Sequence, residues 1–194
     1  MSGAPLRSFI IILIAALTSM AGGSADADAS PDCSAFNSAA FFASATPEDV
    51  AHCLEQGAPL MPEGLPEDRP LFHAVRYATS PLVIDVLLDA ANEREQLDHV
   101  LDHPGNRGRS IMHVAAADAR DPAMITWLAG WGVSVLAEYD CNDAWIFKDC
   151  TMPIHLAASR PDGFLFVATL LALGADRTMW DRDGRRRCQQ IVLA

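Results

Sequence analysis

The chain has 194 residues, 51% of them hydrophobic, and its 25 Asp and Glu against 14 Lys and Arg give a formal net charge of -11. This acidity makes nucleic acid and anionic lipid poor partners, because both would repel the chain. The length is sufficient for one compact domain with a continuous core.

Residues 1–27 have the features of a secretory signal peptide. Arg7 gives a thin positive start, residues 9–17 are almost wholly apolar, and Ala25-Asp26-Ala27 matches the A-x-A cleavage pattern. The apolar run is shorter than the roughly 20 residues that a membrane-spanning helix needs. We therefore expect export, to a bacterial periplasm or the surrounding medium. The alternative is that the segment is retained and tethers the protein to a membrane.

Two helix pairs are predicted next along the chain. Residues 41–45 precede an amphipathic run at 47–54 that stops at Gly57. The second pair begins with RPLFHA at residues 69–74 and continues with an apolar run from Pro81. Apolar residues at intervals of three and four positions indicate helices with one buried face, and glycine after such a run favours a helix end.

The next two pairs share one pattern with each other. Residues 108–116 read GRSIMHVAA and residues 152–158 read MPIHLAA, and each string precedes a second apolar helix that ends at Gly132 or Gly174. Both strings resemble the T-P-L-H-x-A-A signature of the ankyrin repeat. RPLFHA is a more divergent copy, with Phe72 in the histidine position.

The resemblance implies an all-α ankyrin-repeat solenoid of helix–turn–helix units with finger loops, occupying residues 28–194. The repeats are expected near residues 34–62, 66–102, 106–139 and 148–178, with a C-terminal cap at 179–194. In ankyrin proteins the signature histidine forms hydrogen bonds between neighbouring repeats. The resemblance therefore implies a structural role for His113 and His155.

Five cysteines are candidates for disulfide bonds if the protein is exported. Cys33 and Cys53 lie on either side of the first predicted helix, and Cys141 and Cys150 flank a short loop. Pairing between these neighbours is the arrangement that stacked repeats favour, although the sequence leaves the connectivity open. Cys188 is the odd cysteine.

The loop from Cys141 to Cys150 is the most specific candidate for a binding site. It places Trp145, Ile146 and Phe147 in a row and surrounds them with acidic residues. Such a cluster is typical of a binding hot spot. Alternatively, these three side chains fold back and cover the helices of the third repeat.

A metal site is the other candidate. His99 and His103 are four residues apart within a polar helical insertion, a spacing at which two histidines can share a divalent metal. Since no third ligand is fixed by spacing, we favour a solvated helix face at this position.

The sequence predicts a non-enzymatic scaffold that binds a protein partner with a basic patch and uses no cofactor. Two alternatives remain open. One is a metal-dependent or hydrolytic periplasmic enzyme that uses His99 and His103. The other is a membrane-tethered adaptor with an uncleaved N-terminal segment.

Overall fold

The computed structural model describes residues 30–65, 68–102, 109–142 and 149–178, and the chain from Pro31 onward forms one compact unit. The described part is mostly helical, so the all-α prediction is confirmed at this level. A 3-10 turn at Cys33–Ala35 comes first. The α-helices are α1 (Ala39–Ser44), α2 (Pro47–Glu55), α3 (Pro70–Tyr77), α4 (Leu82–Glu93), α5 (Leu97–Asp102), α6 (Ile111–Asp118), α7 (Ala123–Gly130), α8 (Pro153–Ala158) and α9 (Phe164–Ala172).

Eight of these helices form four consecutive hairpins with short turns between the partners. We call α1, α3, α6 and α8 the first-helix row, because each packs against the next in that order. Helices α2, α4, α7 and α9 form the second-helix row and pack in the same sequential way. Each hairpin therefore contacts its neighbours through both of its helices.

Local chemistry explains where the helices begin. The Ser38 hydroxyl accepts a hydrogen bond from the Phe41 backbone N–H (3.2 Å), and Thr46 and Asp49 form a reciprocal capping box at the start of α2. Proline occupies the first position of α3 and α8, where its missing N–H costs nothing. Arg69 precedes α3 without any side-chain cap.

All four second helices end with the same backbone motif. Gly57, Gly132 and Gly174 have φ values of 90°, 90° and 95°, in the left-handed region that glycine adopts without strain. The following N–H bonds back to the helix, for example from Ala175 to the Leu170 carbonyl at 2.9 Å. At the end of α4 this position is Glu95, with φ 58°, so here a non-glycine residue accepts the strained conformation.

The core lies between the two rows. Its largest fully buried side chains come from all four hairpins: Phe42, Phe72, Ile84, Leu87, Leu88, Ile111, Met112, Met124, Ile125, Leu128, Ile154 and Leu170. At the N-terminal end, the Phe36 ring packs against Phe41 and Phe42 at centroid distances of 5.3 and 5.6 Å. Within the described ranges, no helix has the length and apolar character needed to cross a membrane.

The insertion before α8 differs from the simple loop that the sequence suggested. Its arms pair as antiparallel strands, β1 (Tyr139–Asn142) and β2 (Asp149–Thr151), with Tyr139 opposite Thr151. Strand pairing satisfies backbone N–H and C=O groups that two separate arms would leave without partners. The insertion is therefore anchored by a short β-ribbon.

Candidate functional site on the first-helix row

His113 joins the third hairpin to the ribbon that precedes the fourth. Its side chain is fully buried. The Nε2 atom lies 3.1 Å from the Thr151 carbonyl oxygen, and Nδ1 lies 3.2 Å from the Ser110 backbone nitrogen. Because a carbonyl can only accept, Nε2 carries the proton, and Nδ1 accepts the N–H of Ser110. One neutral imidazole thus caps the N-terminus of α6 and forms a hydrogen bond to strand β2.

Burial keeps this imidazole neutral. Desolvation lowers the pKa of His113 from 6.5 to about 4, and the hydrogen bond to Thr151 opposes that shift only in part. A neutral ring is also what the geometry requires, since Nδ1 must keep a free lone pair. His113 is therefore placed as a structural hydrogen-bonding group at neutral pH.

His155 occupies the corresponding position in the fourth hairpin. It is the third residue of α8, as His113 is of α6, and it is 2% exposed. Its Nδ1 atom accepts a hydrogen bond from the Met152 backbone N–H at 3.1 Å. The imidazole thus performs at Met152 the capping role that His113 performs at Ser110.

Aromatic and cationic groups surround the base of the ribbon. The Tyr139 ring meets His113 edge-on with centroids 4.7 Å apart, and the Arg109 guanidinium lies 5.4 Å from the Tyr139 ring centre. These contacts fix where the two strands leave the helical stack. Trp145, Ile146 and Phe147, the predicted binding residues, lie outside the described residues.

The solvent-facing side of the first-helix row carries polar groups that link successive hairpins. Arg76 of α3 contacts Asp118 of α6 with 3.3 Å between Nε and Oδ2. After α8, Arg160 donates to the Ala116 carbonyl of α6 at 3.5 Å and pairs with Asp162 of its own hairpin at 2.8 Å. This row therefore presents a surface with charged groups of both signs.

Sequence reasoning missed an unusual feature of α3. Among the described residues, three shielded side-chain nitrogens lack hydrogen-bond partners, namely Nε and Nη1 of Arg69 and Nδ1 of His73. Burial lowers the pKa of both groups, while Asp68 acts against this shift at His73. The sequence shows only that an arginine precedes α3, whereas the shielding of these nitrogens depends on how the chain packs around that helix.

The two predicted disulfide bonds have different outcomes. Cys33 and Cys53 are bonded, with 5.2 Å between their Cα atoms. The bridge ties the N-terminal 3-10 turn to α2. Strand β1 contains Cys141 and pairs with β2, which contains Cys150, but the Cys141 side chain lies outside the described residues. The Cys141–Cys150 bond stays a prediction.

The alternative metal site depends on a residue that is not described. His99 lies in α5, whereas His103 falls outside the described residues. Within the ranges that the structure describes, no group of three or more His, Cys, Asp or Glu side chains is arranged to hold a metal ion.

No protein-family model matches the chain, and a search of curated proteins also finds no match. What the site can do is therefore inferred from its own side chains. His113 and His155 cap first helices, His113 also links two hairpins, and Arg76 pairs with Asp118 across neighbouring first helices. Such a surface is suited to recognition by shape and charge.

Proposed function

We propose that this protein is an exported ankyrin-repeat scaffold that binds a protein partner through the first-helix row and the adjoining fingers, without catalysing a reaction. The observation that carries the proposal is the fourfold repetition of one helical hairpin, with first helices that begin at Ala39, Pro70, Ile111 and Pro153. Stacked hairpins of this kind present an extended surface in place of a closed pocket.

The positions of the signature residues support the ankyrin assignment. His113 and His155 are each the third residue of a first helix, both are buried, and His113 bonds across to the ribbon before the next hairpin. The second helices end at a left-handed residue in every hairpin, as the repeat pattern requires. Asp118, at the end of α6, is exposed and supplies a charged contact group, and Tyr77, at the end of α3, is partly buried and supplies an aromatic edge.

Charge and the N-terminal sequence suggest the partner and the compartment. A net charge of -11 favours a partner with a basic patch, and added salt should weaken such a complex. The signal-like segment at residues 1–27 and the Cys33–Cys53 bond agree with an oxidising compartment such as a periplasm. Mass spectrometry of the mature protein tests the export proposal, for which an N-terminus near Asp28 is expected.

Affinity capture from native periplasmic extract tests the binding proposal. The wild-type protein is compared with two variants. One is Tyr77→Ser/Asp118→Ser in the first-helix row, and the other is Trp145→Ala/Phe147→Ala in the loop from Cys141 to Cys150, which we call the ribbon loop. Glu55→Ser, an exposed change on α2, is the matched control. We expect one set of captured proteins for wild type and control, and a reduced set for the other two variants.

Two results would contradict the proposal. If all four proteins capture the same partners equally, neither the first-helix row nor the ribbon loop is the binding surface. If the purified chain instead carries a stoichiometric metal that is lost in His99→Ala/His103→Ala, the enzyme alternative replaces the scaffold.

A further inference from the structure

The second-helix row changes its character along the stack. Helix α2 carries Glu48, Asp49 and Glu55, and α4 carries Asp85, Asp89 and Glu93. Helices α7 and α9, with the sequences AMITWLAG and FLFVATLLA, have no charged residue at all. A surface helix normally places charged side chains on its solvent side, and a helix that is apolar all round is normally covered.

The exposed residues of α7 and α9 are accordingly uncharged, and the largest of them are apolar. Phe164 is 62% exposed, Leu165 is 60% exposed, and Leu173 just beyond α9 is also exposed. Their exposed neighbours in the two helices are Thr126, Gly130, Ala168 and Ala172. We call these seven residues the uncharged surface. A contiguous apolar patch on a soluble protein commonly marks an interaction site.

Acidic groups lie beside this surface. Helix α4 packs against α7, and the Trp131 Nε1–H at the end of α7 donates to Asp85 Oδ1 at 2.8 Å. Asp89 and Glu93 follow along α4 and are exposed. Partial desolvation of its carboxylate, together with the charges of Asp85 and Glu93, raises the pKa of Asp89, so a nearby cation would stabilise the charged form of this group.

We propose that the uncharged surface and the acidic edge of α4 together dock a basic amphipathic helix of a partner protein. The apolar side of that helix would cover Phe164 and Leu165, and its Lys or Arg residues would face Asp89 and Glu93. A second copy of this chain fits less well, because it brings another net charge of -11 against the acidic edge. An anionic membrane surface is disfavoured for the same reason.

This docking surface is separate from the proposed binding surface on the first-helix row. It lies on the opposite row of helices and does not depend on Tyr77, Asp118 or the ribbon loop. The two proposals can therefore fail independently.

Fluorescence anisotropy with a synthetic Leu/Lys peptide of about five helical turns tests the proposal on the full chain. The variant Phe164→Ser/Leu165→Ser should weaken peptide binding about tenfold or more, because it removes the apolar contact. Leu65→Ser is the matched control, since Leu65 is 61% exposed and lies outside the second-helix row. Asp89→Asn/Glu93→Gln should weaken binding and flatten its salt dependence, whereas Tyr77→Ser should leave it unchanged.

Several results would overturn the proposal. If a Leu/Glu peptide binds equally well, or if Phe164→Ser/Leu165→Ser leaves the affinity unchanged, a basic amphipathic helix is not the ligand of this surface. Sedimentation that shows a wild-type dimer, lost in the same variant, would identify a second copy as the occupant. A melting temperature that falls in this variant but not in Leu65→Ser would show that the chain covers the surface itself.

Discussion

The boundary between the second and third hairpins and the boundary between the third and fourth hairpins use different chemistry at equivalent positions. At the earlier boundary, Phe72 is the third residue of its first helix and is buried as an apolar ring. At the later boundary, His113 occupies that position and donates to the Thr151 carbonyl. At the earlier boundary, the partly exposed Arg76 and Asp118 also pair across the two first helices.

The difference shows that one packing geometry can be held by two kinds of force. The ring of Phe72 contributes through apolar burial and close packing, which do not depend on protonation. The ring of His113 contributes through directional hydrogen bonds, which require a neutral imidazole. The two boundaries should therefore respond differently to truncation, to pH and to salt.

Truncation of the apolar boundary should have the largest effect. Phe72→Ala is expected to lower the free energy of unfolding by about 4 kcal/mol, since it removes a buried ring and leaves a cavity. Phe164→Ala is the matched control, because that ring is exposed, and it should change stability by less than about 0.5 kcal/mol. Urea unfolding measures both. Similar losses in the two variants would show that Phe72 is not a core residue.

Acid should weaken the histidine boundary selectively. Because the pKa of His113 is about 4 in the folded chain and ordinarily 6.5, the unfolded state binds more protons between these values. The full contribution is present above pH 6.5 and is lost as the pH falls towards 4, by about 3 kcal/mol.

Urea unfolding across this pH range measures the loss. His113→Gln, whose amide can still donate to Thr151, should show a much smaller dependence. Some dependence should remain, because the pKa of His73 is also lowered by burial. An unchanged pH profile in His113→Gln would assign the acid sensitivity to other groups.

Salt should reveal the smallest of the three effects. Arg76 and Asp118 are partly exposed, so their pairing is expected to contribute about 0.5 kcal/mol or less. A double-mutant cycle with Arg76→Ala and Asp118→Ala gives the coupling energy. The coupling should disappear in about 1 M salt, where charges are screened over a few ångströms. A coupling that persists there would indicate a buried or hydrogen-bond contribution.

Much of the helical arrangement could be predicted from the sequence, because its signals are local. The glycines at Gly57, Gly132 and Gly174 indicated where second helices end, and each lies at such an end. Glu95 gave no such signal, because a glutamate in the left-handed region is held there by its surroundings.

Features that depend on contacts between distant segments were harder to predict. The ribbon requires strands on both sides of the insertion to pair, and its short arms carry little alternating pattern. The shielded atoms of Arg69 and His73 arise from packing around α3, which no spacing rule describes. The sequence itself shows that α7 and α9 lack charged residues and that α4 is acidic. That these segments form neighbouring surfaces is known only from the packing of the helices.

The Cys33–Cys53 bond should determine the order in which the hairpins unfold under force. It closes a covalent loop that includes α1 and most of α2, so the first hairpin keeps its ends together even when its neighbours separate. On a chain-entropy estimate such a loop is worth about 3 kcal/mol. Pulled from its two termini, the protein should peel open from the fourth hairpin backwards, and the segment enclosed by the bridge should add no length to the extended chain.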